Sequence, residues 1–160
     1  FATGKREGDK FFAMVAPRMI RSNHPLYSVN DVFNAILVRG NVLGDVMFYG
    51  SGAGKLPTAS AVVADVVDAA KHAGTNIMTL WSNKKLELSD NSNAENVFFV
   101  RVPAEQKEKA CELFGNVIEV KAEGITGEFA FLTGKITEAM FVEKTENLCV
   151  LSRVRTDFCA

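Results

Sequence analysis

The pattern of apolar and polar residues changes near the middle of the chain. In the second half, short apolar-rich runs predict four strands, at 96–102, 117–122, 127–133 and 147–154. Two segments between these runs, 103–115 and 135–144, carry apolar residues at helical spacing. The order β-α-β-β-α-β predicts a four-stranded antiparallel sheet with both helices on one face.

The first half predicts strand hairpins followed by one long helix. Residues 1–15 predict a hairpin with a charged turn, and residues 32–49 predict a second hairpin that turns at Arg39–Asn41. Val32–Val38 has apolar residues on both faces, which predicts a strand covered on both sides. The valines between Pro57 and Ala73 recur at helical spacing, so we expect a helix that packs against a sheet.

A polar run rich in Ser, Asn and Asp separates the two halves. Residues 76–93 contain one short apolar patch, Ile77–Trp81, ahead of this run, and Trp81 is expected to dock onto one of the flanking domains. The predicted fold class is therefore α+β. We place a partial mixed α/β domain at 1–75, a linker at 76–93 and an independent domain at 94–160.

Three alternating glycines mark the junction between the second hairpin and the long helix. Gly50, Gly52 and Gly54 lack a Cβ, so the backbone there can take positive φ and approach a ligand closely. The helix start offers a proline suited to its first turn and hydroxyls that can cap its free N–H groups, at Pro57, Thr58 and Ser60. Exposed amides at such a position favour a phosphate or a carboxylate. The alternative is a tight strand-to-helix turn without a ligand.

Two well-known phosphate-binding loops do not fit this segment. A P-loop requires glycine where Tyr49 stands and a serine or threonine where Leu56 stands. A dinucleotide-binding fingerprint requires its third glycine where Lys55 stands. The segment is thus a different kind of glycine loop.

Composition excludes several classes of partner. The net charge is −1, and the 18 basic residues form no dense cluster, so we expect no nucleic-acid surface and no basic membrane-binding face. No apolar run approaches the roughly 20 residues that span a bilayer, and the N-terminal segment lacks the basic-then-apolar order of a signal peptide. We predict a cytoplasmic protein with a small-molecule ligand.

Cysteine and histidine spacing indicates neither a disulfide framework nor a metal site. Cys111, Cys149 and Cys159 form no close pair and are predicted to be buried thiols. His24 and His72 have no metal-ligand partner at helical spacing, and we interpret them as a turn residue and a helix-surface residue. No metal is predicted.

A longer pattern covers most of the first half. Its residues are His24-Pro25-Leu26, Asn34-Ala35-Ile36, Gly40, Gly44, the run Phe48 to Gly54, and Pro57 to Val63 with Asp65. This pattern resembles the C-terminal part of homoserine dehydrogenase. Ser51 departs from the proline usual in that loop, which alters the stiffness of the loop and leaves its glycines in place.

The resemblance implies an oxidoreductase that interconverts L-homoserine and L-aspartate 4-semialdehyde with NADP or NAD, in threonine and methionine biosynthesis. Residues 1–75 would be the C-terminal part of its substrate domain, and the cofactor-binding residues would be Gly50, Gly52, Ala53 and Gly54. The catalytic residues and the nucleotide-binding domain are expected ahead of Phe1, where the chain starts without methionine. We therefore expect an excised fragment that is inactive alone.

The β-α-β-β-α-β order behind this segment resembles the ferredoxin-like ACT family of amino-acid-sensing regulatory domains. It implies an amino-acid effector and a homodimer or higher oligomer. The turn Val102–Glu105 keeps a proline but lacks the glycine that usually follows it in that family. Two other functions stay open: a stand-alone amino-acid-binding module, and a unit that only mediates oligomerisation.

Overall fold

The computed structural model describes residues 1–76, 78 and 80–157. The strands in this part of the chain are β1 Ala2–Glu7, β2 Lys10–Val15, β3 Arg18–Met19, β4 Phe33–Gly40, β5 Gly44–Ser51, β6 Glu95–Pro103, β7 Ile118–Val120, β8 Glu128–Leu132, β9 Ile136–Thr137 and β10 Ser152–Thr156. The α-helices are α1 Lys55–Lys71, α2 Lys107–Phe114 and α3 Glu138–Thr145. Short 3₁₀ turns occur at Asn91–Asn93 and Ala104–Gln106.

The chain forms two compact units, which we name by their place in the sequence. The inserted unit is Ser22–Lys84, and the discontinuous unit combines Phe1–Arg21 with Lys85–Ala160. The prediction had placed residues 1–21 with the first half. They lie with the second half because β3 pairs with β10, and because the Phe11 carbonyl accepts a hydrogen bond of 2.7 Å from the Ser89 amide.

One sheet organises the discontinuous unit. Its strands lie in the order β3-β10-β6-β8-β7, with antiparallel pairing between every pair of neighbours except β3 and β10, which are parallel. The predicted order of four strands and two helices is present. The first of these helices starts late, at Lys107, after a 3₁₀ turn, and the second starts at Glu138 because Ile136 and Thr137 pair with β6. β3 is an additional edge strand.

A single apolar core lies between this sheet and its helices. Alternate residues of β6, Phe98, Val100 and Val102, are fully buried on the same face of the sheet. They pack with residues of the neighbouring strand and the helices, namely Ala110, Phe129, Phe131, Phe141 and Leu148. Burial of one such large side chain contributes about 1.5–3 kcal/mol, so this core is the main source of stability in the unit.

Helix α3 begins at a hydroxyl cap. The Thr137 side chain accepts a hydrogen bond of 3.1 Å from the Met140 amide, and Thr137 has extended backbone geometry. The cap satisfies an amide at a helix end that would otherwise lack a partner.

We expect Thr137→Ala to lower the free energy of unfolding by about 1 kcal/mol, because the Met140 amide loses its acceptor. Urea unfolding followed by circular dichroism measures this change. Thr137→Ser keeps the hydroxyl and serves as the control. Equal stability of the alanine and serine variants would contradict a capping role.

The inserted unit exposes apolar surface that the sequence predicted to be covered. Strands β4 and β5 pair antiparallel with Phe33 opposite Ser51, and α1 follows them. No residue of α1 is buried, and Val63 is 60% exposed. Ile36 in β4 is 66% exposed. The predictions of a strand covered on both sides and of valines packed on a sheet are therefore wrong for the described part of this chain, which supplies no covering layer.

The predicted linker has no regular structure before its 3₁₀ turn in the part that the structure describes. The docking predicted for Trp81 is wrong, since this residue is 88% exposed. Ile77 and Thr79, which belong to the same predicted apolar patch, lie outside the described residues. Ser82–Leu88 is exposed throughout, whereas Ser89 and Asn91 bond to carbonyl oxygens of β2.

Limited trypsin digestion should cut first at Lys84 or Lys85, because these residues lie in exposed, irregular backbone. The two pieces should remain together on gel filtration, since Phe1–Arg21 belongs to the unit that continues at Lys85. Lys109 in α2 and Lys144 in α3 lie in helical backbone and provide internal controls that are cut later. Mass spectrometry identifies the first fragments. Initial cleavage between residues 96 and 154 would refute this division into two units.

Candidate functional site

The glycine loop is a short connection between a strand and a helix. β5 ends at Ser51 and α1 begins at Lys55, so Gly52–Gly54 make the whole connection. Gly54 precedes the helix with φ 113°, and its carbonyl accepts a hydrogen bond of 3.2 Å from the Thr58 amide. Because this φ strains any residue with a Cβ, the backbone at this position requires glycine. The prediction of positive φ is confirmed at Gly54.

Gly52 is constrained by a neighbour rather than by its backbone angle. A Cβ built on Gly52 would lie 2.9 Å from Cγ of Asn34 and closer still to Nδ2 of that residue. Asn34 stands opposite Gly50 in the β4–β5 register. Gly52 does not use the positive φ that a glycine allows, and its close approach is to a side chain of the same unit. The sequence analysis did not assign Asn34 to the site, although the predicted hairpin placed the two segments side by side.

Gly50 and Ala53 complete the predicted cofactor-binding set. Gly50 lies within β5 and does not have positive φ, and a Cβ built on it would meet nothing within 4 Å. Ala53 lies in the bend after Gly52 and is exposed. The geometry of this chain therefore explains a glycine at positions 52 and 54 but not at position 50.

Helix α1 starts two residues before the predicted Pro57. No side chain caps this helix, so the capping predicted for Thr58 and Ser60 is wrong. The residue at the cap position is Gly54, which has no side chain to offer. The amides of Lys55 and Leu56 precede the first intrahelical hydrogen bond, and no acidic residue stands in the first turn. This helix end is electropositive and suits an anion.

Residues ahead of β4 form a turn around His24. The Leu26 amide donates to Nδ1 of His24 at 3.1 Å, and the Tyr27 amide donates to the His24 carbonyl at 2.9 Å. The prediction of a turn residue is confirmed. His72 is exposed at the C-terminal end of α1, with Nδ1 2.9 Å from the Asp68 carbonyl, which confirms its helix-surface position.

Two contacts hold the β4–β5 hairpin that carries the loop. The guanidinium of Arg39 donates two hydrogen bonds to Asp45, at 2.7 and 3.0 Å. These bonds hold the pKa of Asp45 below its usual value. The pair stabilises the hairpin above the unfolded-state pKa of Asp45, and this contribution is lost as pH falls through the folded-state pKa. The rings of Phe33 and Tyr49 stack 5.0 Å apart.

Cysteines and acidic residues give no metal site in the part of the chain that the structure describes. No group of three or more His, Cys, Asp or Glu side chains could hold an ion there. Cys111 is partly buried, whereas Cys149 is exposed because it lies in the loop that precedes β10. The prediction of a buried thiol is thus wrong at Cys149, and Cys159 lies outside the described residues. No described helix has the length and apolar character needed to cross a membrane.

A separate candidate for ligand binding lies on the sheet of the discontinuous unit. It is a cavity of about 310 Å³ whose walls come from β6, β7, β8 and the loop between the last two strands. Phe99, Val120 and Ile125 supply apolar wall, and Arg101 and Glu128 supply charge. Nε and Nη2 of Arg101 donate to the two carboxylate oxygens of Glu128 at 2.8 and 2.9 Å. These charges neutralise each other.

Comparison with known proteins gives a consistent family. Residues 3–67 match the family model for homoserine dehydrogenase. The homoserine dehydrogenase of Synechocystis sp. is 61% identical over 54 residues, which are 34% of this chain and 12% of that protein. That of Helicobacter pylori is 33% identical over 98 residues, which are 61% of this chain and 23% of that protein.

Solved structures extend the likeness to both units. The S. aureus homoserine dehydrogenase at pH 7.0 has a TM-score of 0.67 and 26% identity, with 98% of this chain and 41% of that chain covered. A homoserine dehydrogenase from Thiobacillus denitrificans has a TM-score of 0.70 at 20% identity and shows the fold alone, over 96% of this chain and 41% of that chain.

The matches all point to one class of protein, because the relatives found by sequence and by structure are dehydrogenases. Residues 3–67 of this chain match the homoserine dehydrogenase family, and the whole chain is similar in structure to part of such an enzyme. The chain spans about two fifths of the length of the solved relatives.

Proposed function

We propose that this chain is the C-terminal part of a homoserine dehydrogenase that interconverts L-homoserine and L-aspartate 4-semialdehyde with NADP or NAD. The observation that carries the proposal is the family match over 3–67, which contains the His24 turn, the β4–β5 hairpin and the whole glycine loop. The product of the pathway would be threonine or methionine, and the location would be the cytoplasm.

The glycine loop serves ligand binding in this proposal. Gly50, Gly52, Ala53 and Gly54 form an exposed backbone surface, and the amides of Lys55 and Leu56 point from the helix start without intrahelical acceptors. An anionic group, such as a cofactor phosphate or the substrate carboxylate, fits these donors. The nicotinamide supplies hydride chemistry when bound, and this chain supplies positioned donors.

The exposed apolar faces of the inserted unit support a role within a larger enzyme. Val62, Val63, Val66 and Val67 of α1 are each at least 45% exposed, and Phe48 in β5 is 64% exposed. Soluble proteins rarely leave contiguous apolar patches of this kind open. We propose that the remainder of the enzyme covers them, and that the chain alone has no dehydrogenase activity.

The discontinuous unit would act as an ACT-like regulatory domain. Support comes from the β-α-β-β-α-β order and from the antiparallel sequence β10-β6-β8-β7 in its sheet. In this proposal the unit takes an amino-acid effector and joins copies of the protein into a homodimer or higher oligomer.

A stand-alone amino-acid-binding module is the second candidate, and the cavity of about 310 Å³ favours it. This volume lies at the small end of ligand pockets. This candidate requires the Arg101–Glu128 ion pair at the cavity wall to open, so that Arg101 meets the carboxylate and Glu128 the ammonium of an amino acid.

The decisive experiment measures homoserine-dependent reduction of NAD⁺ and NADP⁺ by absorbance at the nicotinamide band. The 160-residue chain should give no signal, and the same protein extended at its N-terminal side to the length of the relatives should be active. A folded, extended protein that is inactive with both cofactors would overturn the proposal.

Thermal-shift assays of the 160-residue chain with threonine, methionine and lysine test the second candidate. An amino-acid-binding module requires that one of these ligands raise the melting temperature of the chain without any other domain.

A further inference from the structure

Asn34 is a polar residue in an otherwise apolar stretch of β4. It stands between Val32 and Val38 in the run Val-Phe-Asn-Ala-Ile-Leu-Val. Asparagine is depleted in strands, because its side chain competes for backbone hydrogen bonds. The Asn34 carboxamide forms no hydrogen bond with the residues that the structure describes. Neither strand propensity nor a bond within the described chain therefore accounts for asparagine at this position.

The side chain of Asn34 extends along the neighbouring strand toward the glycine loop. Asn34 stands opposite Gly50 in the β4–β5 register, and its carboxamide lies where a side chain on Gly52 would be. A Cβ built on Gly52 would lie 3.4 Å from Cβ of Asn34 and 2.9 Å from its Cγ, and Nδ2 would be the nearest atom. The atom of Asn34 that reaches the loop is therefore a hydrogen-bond donor.

The surface beside this carboxamide is bare backbone. Gly50 and Gly52 add no side chain to the face that carries Asn34, and a Cβ built on Gly50 would meet nothing within 4 Å. Farther from the loop, the same face continues with Ile36 and Phe48, which are apolar and exposed. Asn34 thus places a polar side chain at the border of the open space over Gly50.

We propose that Asn34 is a ligand-binding residue of the glycine loop, whose Nδ2 donates a hydrogen bond to an anionic oxygen of the bound ligand. This inference rests on the proposed function, in which the loop binds a cofactor phosphate or the substrate carboxylate, and it adds a side-chain donor to the backbone donors. The charge nearby favours an anion, because α1 begins with Lys55 and has no acidic residue in its first turn. A hydrogen bond to a charged acceptor is stronger than one between neutral groups.

A purely structural role of Asn34 predicts a different result. If the carboxamide only filled the space beside Gly52, its removal would lower the stability of the loop and weaken all ligands together. Asn34 is exposed and donates no hydrogen bond within the described chain, so its replacement should leave the melting temperature nearly unchanged. Binding without a change in stability therefore separates the two roles.

Direct binding measurements on the full-length enzyme test this inference with Asn34→Ala and Asn34→Asp. Alanine removes the donor and should raise the dissociation constant of one ligand about tenfold. Aspartate keeps the shape of the side chain but sets a negative charge against the ligand's own, so it should raise the same constant about a hundredfold.

Two titrations distinguish the sources of the anion. Fluorescence titration with NADPH and NADH gives the dissociation constant of each cofactor. Calorimetric titration of homoserine into enzyme saturated with the reduced cofactor, a pair that cannot react, gives the dissociation constant of the substrate. Weaker binding of the cofactor assigns Asn34 to a phosphate, and weaker binding of homoserine assigns it to the carboxylate.

Asn41 is the matched control, because it is exposed in the turn at the opposite end of the same hairpin. Asn41→Ala and Asn41→Asp should leave both dissociation constants unchanged. Unchanged affinity for both ligands in the Asn34 variants, or an aspartate variant that binds no worse than the alanine variant, overturns the role of Asn34. A fall in melting temperature that accounts for the lost affinity overturns it as well. An original full-length enzyme that binds neither ligand instead overturns the proposed function itself, and the role of Asn34 with it.

Discussion

Replacing Glu138 with alanine should lower the free energy of unfolding of the discontinuous unit by about 3 kcal/mol or more. The Glu138 side chain is 10% exposed and that of Arg155 is 16% exposed, so the ion pair is largely removed from water. Arg155 donates to the two carboxylate oxygens at 2.5 and 2.7 Å, and the Asn96 side chain donates to one of them at 2.9 Å. Loss of the carboxylate leaves a guanidinium charge and an amide without that acceptor.

Chemical unfolding monitored by circular dichroism measures this change. Glu95→Ala is the matched control, because Glu95 forms an ion pair with Lys135 that is about half exposed and should contribute less than 1 kcal/mol. Glu138→Gln keeps an acceptor oxygen, so its loss of unfolding free energy should lie between those of Glu138→Ala and Glu95→Ala. If Glu138→Ala is no more destabilising than Glu95→Ala, the buried network does not stabilise the contact of α3 with β6 and β10.

In the full-length enzyme, Gly50→Val should reduce kcat/KM about tenfold or more while stability stays nearly unchanged. A Cβ at Gly50 meets no atom within 4 Å in this chain, and the backbone there is ordinary strand. A side chain at this position therefore meets no atom of this chain, and unchanged stability of the full-length variant would show that it obstructs a bound ligand and no other part of the enzyme. A tenfold loss corresponds to about 1.4 kcal/mol of transition-state stabilisation.

Gly54 provides the contrasting variant at the same loop. Gly54→Val forces a branched side chain into φ 113°, which should cost about 1–3 kcal/mol of stability. Activity should fall further than this loss explains if the loop also contacts a ligand. The measurements are melting temperature and kcat/KM for both variants. Normal kinetics in folded Gly50→Val and Gly54→Val enzymes would return the loop to a plain strand-to-helix turn.

The second half of the fold could be predicted because its signals are local. In β6, the short apolar run Val97–Val100 with Val102 identifies the strand in the sequence, and the strand's own period of two places Phe98, Val100 and Val102 on one buried face. Helix α3 is recognisable from its apolar spacing, although Ile136–Thr137 pairs with β6 and delays the helix start. Tertiary pairing at an element's end has no signature within the element itself.

Other features escaped prediction because they depend on distant residues or on surface outside this chain. β3 consists of Arg18 and Met19, which give no strand pattern, and its partner β10 lies at the far end of the sequence. The valine stripe of α1 was recognised correctly as an apolar face, but its pattern cannot say which chain covers it.

At the site, the glycines themselves were identified, whereas the reason for each was not. Positive φ is required only at Gly54, and the close approach at Gly52 is to the side chain of Asn34. The start of α1 was displaced because Pro57 was expected at the first helical position, while Lys55 and Leu56 also accept helical backbone. Cap identity depends on backbone angles, which composition does not specify.

The pairing of β3 with β10 sets an order of events during synthesis. Arg18 is synthesised well before its hydrogen-bond partner Asp157, which lies 139 residues later. The sheet of the discontinuous unit therefore cannot gain β3 until β10 has also emerged from the ribosome, and the inserted unit is by then a closed loop in the sequence between them. Contacts of such long sequence separation form late and slowly. We therefore expect this edge of the sheet to be completed after the local pairs β6–β8 and β7–β8 have formed.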